Sequence, residues 1–184
     1  ARALCLSRWP GVARMILCCG EALIDFVPQA AGETRAYVPA LGGSCYNTAI
    51  TLGRLGACVG FLGSISTDFF GHQLAAGLAA SDVANRYVTR AARPTTLAFV
   101  SLGGDEPQYA FFDENAAERM WRRADAPTIE NDVTAMHFGS ISLVREPAGG
   151  ELEALMLAQK GRRVLSLDPN IRPDLVVDEV DYRA

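Results

Sequence analysis

From Met15 onward the chain alternates short apolar runs with stretches of helical period, and that alternation leaves little choice of fold. Met15 to Cys19, Cys58 to Leu62, Ala135 to Phe138 and Val164 to Leu167 read as buried strands. Tyr46, Ala49, Ile50 and Gly53 recur at i, i+3, i+4 and i+7, one face of a helix, with Gly56 where a C-cap belongs. Phe70, Leu74 and Leu78 mark a second helix, with Thr67 or Asp68 available as its N-cap. Leu152, Leu155, Met156 and Gln159 mark a third, opened by Pro147 and closed by Gly161. Strand–helix–strand repetition at this spacing predicts an α/β domain with a parallel sheet covered by helices.

Two segments break the rhythm. Ala22 to Val38 and Thr95 to Phe112 are rich in β-branched and aromatic residues, and no helix is read directly after either. The second reads as a hairpin, Leu97 to Leu102 and Gln108 to Phe112, turned at Gly103-Gly104-Asp105. Strands without crossover helices do not belong in a parallel sheet, so both segments are assigned to a small antiparallel flap. A flap over the edge of an α/β domain suggests a lid on a small-molecule site.

Composition narrows the partners. Hydrophobic residues make up 49% of the 184 and charged residues 21%, as in a packed domain. A net charge of −4 without an arginine patch argues against nucleic acid, which needs a basic face. No apolar stretch approaches the roughly 20 residues that span a bilayer. Cys5, Cys18, Cys19, Cys45 and Cys58 are odd in number and lack C-x-x-C spacing, so neither a metal site nor a disulfide framework is read. Cys18-Cys19 reads as buried filler, and a reduced, cytoplasmic setting follows. Residues 1–14 carry Arg2, Arg8, Arg14 and no acid. They stand apart as a transit-type tail or an artefact of the assigned start, with the domain running over 15–184.

Three groups of residues carry chemistry. Asp25 sits inside Ala22-Leu23-Ile24-Asp25-Phe26-Val27, where a carboxylate is costly unless donors such as sugar hydroxyls reach it; otherwise it is a strand-end residue facing solvent. Gly42-Gly43 lies ahead of a helix and lets backbone N–H groups approach a ligand, with the Asn47 amide on the first turn; otherwise it is a tight turn capped by Ser44. Asp168-Pro169-Asn170-Ile171-Arg172-Pro173 follows a strand, at the end where α/β sheets collect ligands; otherwise it is a rigid loop with a local Asp–Arg pair. His72 reads as a solvated helix residue and His137 as a core or sheet-end one. Neither G-x-G-x-x-G nor G-x-x-x-x-G-K-[ST] occurs.

Together these residues resemble the PfkB, or ribokinase-like, carbohydrate kinases, and among them the bacterial fructokinases. Asp25 after Gly20-Glu21, Gly42-Gly43-x-x-x-Asn47, the stretch from Gly63 to Gly71 and Asp168-x-Asn170-x-Arg172 stand in family order. The resemblance implies an α/β/α sandwich with a β lid over about 22–38 and 95–112. It also implies ATP and Mg²⁺ as cofactors, and phosphorylation of a primary sugar hydroxyl, with D-fructose giving fructose 6-phosphate. It assigns sugar contacts to Asp25, Gly42, Gly43 and Asn47. Asn170 is assigned to the phosphate and metal side, and Arg172 to the transferred group or the substrate. Phe99, Tyr109 and Phe111 are expected to wall the site or to form a lid–lid contact in a homodimer.

The family's general base lies in a Gly-Ala-Gly-Asp segment that these 184 residues lack. The chain is therefore expected to be the N-terminal part of a kinase, without a base and inactive alone. Cys45 and Cys58 stand where prolines are common, and His72 where an acid is. Thr95 to Asn115 holds no Lys or Arg, so a neutral hexose fits better than a substrate with a carboxylate. Ribose, a nucleoside or a keto-sugar acid remain alternatives, as does a non-catalytic sugar-binding remnant.

Overall fold

The computed structural model describes residues 14–31, 34–102 and 108–171. In chain order, β1 (Met15–Cys19) leads to β2 (Leu23–Ala31) and β3 (Thr34–Gly42), then to α1 (Ser44–Arg54). Next come β4 (Val59–Ser66), α2 (Phe69–Ala80), β5 (Val88–Ala91), β6 (Leu97–Ser101) and β7 (Gln108–Phe112). The described chain closes with β8 (Val133–Gly139), α3 (Ala148–Gln159) and β9 (Val164–Asp168).

Five strands in the order β5-β4-β1-β8-β9 form a sheet whose pairings are all parallel. Successive residues of β1 point to opposite faces, and this parity splits the core. Cys18 joins Tyr46, Ile50, Phe61, Leu74 and Leu78 under α1 and α2, while Leu17 and Cys19 join Met136, Phe138, Leu152 and Leu155 under α3. Helices thus cover both faces, which is the α/β/α sandwich expected. The Asp68 carboxylate accepts from Gly71 N–H at 2.7 Å, capping α2, and Gly56 adopts φ +79° just past α1.

The flap strands β3-β2-β6-β7 form a second sheet. Its outer pairs, β2–β3 and β6–β7, are antiparallel as expected, and a short parallel contact between β2 and β6 joins the two hairpins. The turn read at Gly103-Gly104-Asp105 lies outside the described residues, as does the 1–13 tail.

Three sequence readings need correction. The first flap segment does not end at Val38: β3 continues to Gly42 and enters α1 through Gly43 alone. β5 was not foreseen, because Val88-Thr89-Arg90-Ala91 is a short, half-polar edge strand with little apolar signal. Cys18, Cys19 and Cys45 are free and buried, and burial pushes the Cys18 thiol up to about 12. Cys58, however, is disulfide-bonded, which neither the odd count nor the spacing had suggested. No helix among the described residues is long and apolar enough to cross a membrane.

Candidate functional site

At the carboxyl ends of the parallel strands, where the flap overhangs α1, a cleft of about 520 Å³ opens. Asp25, Gly43, Asn47 and Asn170, four of the residues singled out from sequence, line it together. They arrive from β2, the β3–α1 joint, the first turn of α1 and the loop after β9.

Asp25 is half-buried on β2, and burial raises its carboxyl above the usual carboxylate range. Among the described residues no hydrogen bond or ion pair holds that carboxylate. Gly42 is paired with Leu23 across the β2–β3 ladder, and a β-carbon there would fall on the Asp25 carboxylate. Only glycine lets the acid lie flat against the strand.

Gly43 is the N-cap of α1, at φ +105° and ψ 132°, and offers no capping side chain. The cap comes instead from Glu21, in the link between β1 and β2, whose Oε1 accepts the Ser44 N–H at 2.5 Å. Glu21 is 1% exposed and lines the cleft. Burial raises its carboxyl, opposed by its own backbone, the Ser44 and Cys45 N–H groups and the nearby Ser142 hydroxyl. Sequence reading took Ser44 as the alternative cap and passed over Glu21. A lone acid 23 residues from its partner gives no local signal.

Ser140, also missed, lines the cleft just after β8 at φ +65°. Asn170 stands at φ 43° just after β9, its N–H bonded to the Asp168 carboxylate at 3.0 Å. Two non-glycine residues with left-handed backbones at adjacent strand ends place local strain at the cleft, where functional sites tend to store it.

The flap supplies Tyr109 and Phe111 to the cleft, as expected. Phe99 is not brought there. It pairs with Ala110 on β7 and with Phe26 on β2, so it shares the opposite face with Phe26 and Phe112. Its ring stacks on Phe26 at 4.7 Å and meets Tyr37 and Phe112 edge-on. Arg172 lies outside the described residues. His72 is exposed on α2, whereas His137 is half-buried on β8 with Nδ1 3.1 Å from the Ser166 hydroxyl. Among the described residues no three His, Cys, Asp or Glu side chains gather as a metal set.

A polar cleft with a half-buried carboxylate unpaired among the described residues, and an amide beside it, can hold a small polyhydroxylated ligand between the flap and α1. Known proteins carry the same architecture. Residues 13–180 match the model of the pfkB family of carbohydrate kinases. A fructokinase of Rhizobium leguminosarum bv. trifolii is 45% identical over 172 residues, covering 92% of this chain and 52% of the relative. A fructokinase of Solanum tuberosum is 36% identical over 178 residues, covering 92% and 56%. The crystal structure of a Xylella fastidiosa fructokinase with bound ATP superposes with a TM-score of 0.81 at 32% identity, over 89% of this chain and 51% of that one. The chain spans about half the length of these relatives.

Proposed function

We propose, for a chain that belongs to the pfkB family of carbohydrate kinases, that it forms the sugar-binding part of an ATP-dependent fructokinase. The reaction would make fructose 6-phosphate from D-fructose in the cytoplasm. The observation that carries this reading is the Asp25 carboxylate, half-buried in the cleft with no donor upon it among the described residues. Sugar hydroxyls supply such donors, and each bond to the charged carboxylate repays part of its desolvation. Asn47 offers a donor and an acceptor to neighbouring hydroxyls, and Gly43 keeps the backbone close. Tyr109 and Phe111 present apolar faces that exclude water from the reacting hydroxyl. Asn170 stands at the phosphate side of the same cleft, and Arg172 would follow it in the loop.

ATP would act as phosphoryl donor, in keeping with the ATP bound in the Xylella fastidiosa fructokinase. The described donor set does not fit a protein-held Mg²⁺ site, so the cation is assigned to the nucleotide and no step is routed through it. The proton of the attacking hydroxyl needs a general base, and the Gly-Ala-Gly-Asp segment expected to carry it does not occur in these 184 residues. The outer flap face, where Tyr37 is 45% and Phe112 62% exposed around Phe99, is where a second copy would pack.

Calorimetric titration of the purified chain with fructose, ribose, a nucleoside and a keto-sugar acid tests the reading. Fructose is expected to bind most tightly, and Asp25→Asn to weaken it about 10-fold or more, as for loss of a charged hydrogen bond. Equal binding by D25N, or preference for the keto-sugar acid, would overturn it. A coupled assay is expected to show no fructose-dependent ADP from the 184-residue chain. Turnover would mean that a base lies within it.

A further inference from the structure

Beneath Asp25 the cleft holds a second carboxylate with an uncommitted oxygen. Glu21 spends Oε1 on the α1 N-terminus through the Ser44 N–H. Its Oε2 is buried and has no hydrogen bond of good geometry among the described residues. The Cys45 N–H and the Ser142 hydroxyl lie near enough to favour the charged carboxylate, but the hydroxyl gives its proton to the Gly139 carbonyl at 2.7 Å. Burial of a carboxylate oxygen without a donor is costly, and proteins rarely leave one so. The residue is also not a spacer: the Gly43 turn packs directly on the Glu21 backbone, and Glu21 lines the same cleft as Asp25, Asn47 and Ser140.

We infer that Glu21 is a substrate-binding residue as well as a helix cap. Oε2 accepts a hydroxyl of the bound sugar, so that the sugar is held between two carboxylates, Asp25 from the flap and Glu21 from the floor. This rests on the sugar-binding reading above and extends it. The Gly43 turn leaves no room for a capping side chain of its own, so α1 is capped from 23 residues away by an acid that has a second oxygen to spare. It also restricts the ligand. A neutral polyol donates to both acids, whereas an anionic sugar brings a like charge to one of them.

The test is Glu21→Gln. An amide oxygen still accepts the Ser44 N–H, so the helix cap survives, while the –NH₂ that replaces Oε2 cannot accept a hydroxyl proton. Fructose affinity is expected to fall about 10-fold or more, as for a lost charged hydrogen bond. Titrating both proteins with a series of monodeoxyfructoses gives the readout that a purely structural role would not move. One deoxy position should weaken binding to the parent chain and make little further difference to E21Q, a coupling between one hydroxyl and one side chain. Should E21Q fail to fold, the parent chain labelled with carboxyl-¹³C glutamate serves instead, with one buried carboxyl resonance expected to move on adding fructose. Affinity equal in E21Q and parent, losses that add at every deoxy position, or no moving resonance overturns the inference alone. Absence of fructose binding by the parent, or D25N binding as well as the parent, overturns the sugar-site reading and this inference with it.

Discussion

Gly43→Ala is expected to cost about 3 kcal/mol or more and to lower the melting temperature by roughly 10 °C. Two penalties combine at this residue. At φ +105° and ψ 132° it occupies backbone territory that side chains avoid, and an added β-carbon would stand 2.6 Å from the Glu21 carbonyl oxygen. That neighbour is backbone in the link between β1 and β2, so no side-chain rotation relieves the contact. The damage would reach the cleft, because the same turn sets the start of α1 and, with it, Asn47 on the cleft wall. Gly56→Ala is the control. Gly56 also has positive φ, +79°, but nothing lies within 4 Å of a β-carbon there, so only the backbone strain of about 1 kcal/mol is paid. Thermal melts of the two variants side by side decide it: equal, small shifts would show that the Gly43 turn has room to spare.

The second large effect concerns association. β9 pairs with β8 on one side only, and among the described residues no strand covers its other edge. Val164 is 69% and Leu167 54% exposed on that strand, and Leu157 on α3 is 58% exposed. An open parallel edge flanked by bare aliphatic side chains is a template for pairing with another chain. The purified 184-residue chain is expected to run well above 19.7 kDa in light scattering at micromolar concentration, growing with concentration and time. Leu167→Lys together with Val164→Lys places charges on the edge and should return most of the protein to monomer. A parent chain that stays monomeric across that range would show the edge to be protected.

The centre of the parallel sheet was legible because β1, β4 and β8 are largely buried, so Cys18 and Tyr46 declare their environments in sequence. Val164 to Leu167, read as a buried strand, is instead the exposed edge strand β9. Asp25 and Gly42-Gly43 stand out in sequence for the opposite reason, as an acid in an apolar run and paired glycines ahead of a helix, and the structure brings Asp25 and Gly43 to the cleft. What could not be read depended on register and distance. Tyr109 and Phe111 share a face by strand parity alone. Which face Phe99 joins follows from its pairing with Ala110 and Phe26, and nothing local to Phe99 encodes that. Glu21 needed its partner Ser44 to be seen beside it. Ser140 reads as any serine until its left-handed backbone is known.

The passage from β3 to α1 through one residue has a mechanical meaning. A strand of the flap and the helix on the cleft's floor are two arms meeting at a single residue, Gly43, which lies against the Glu21 backbone, while the Asp25 carboxylate lies against Gly42 just before it. The two dihedral angles of Gly43 set the direction of β3 relative to α1, so the roof and the floor of the cleft share one pivot.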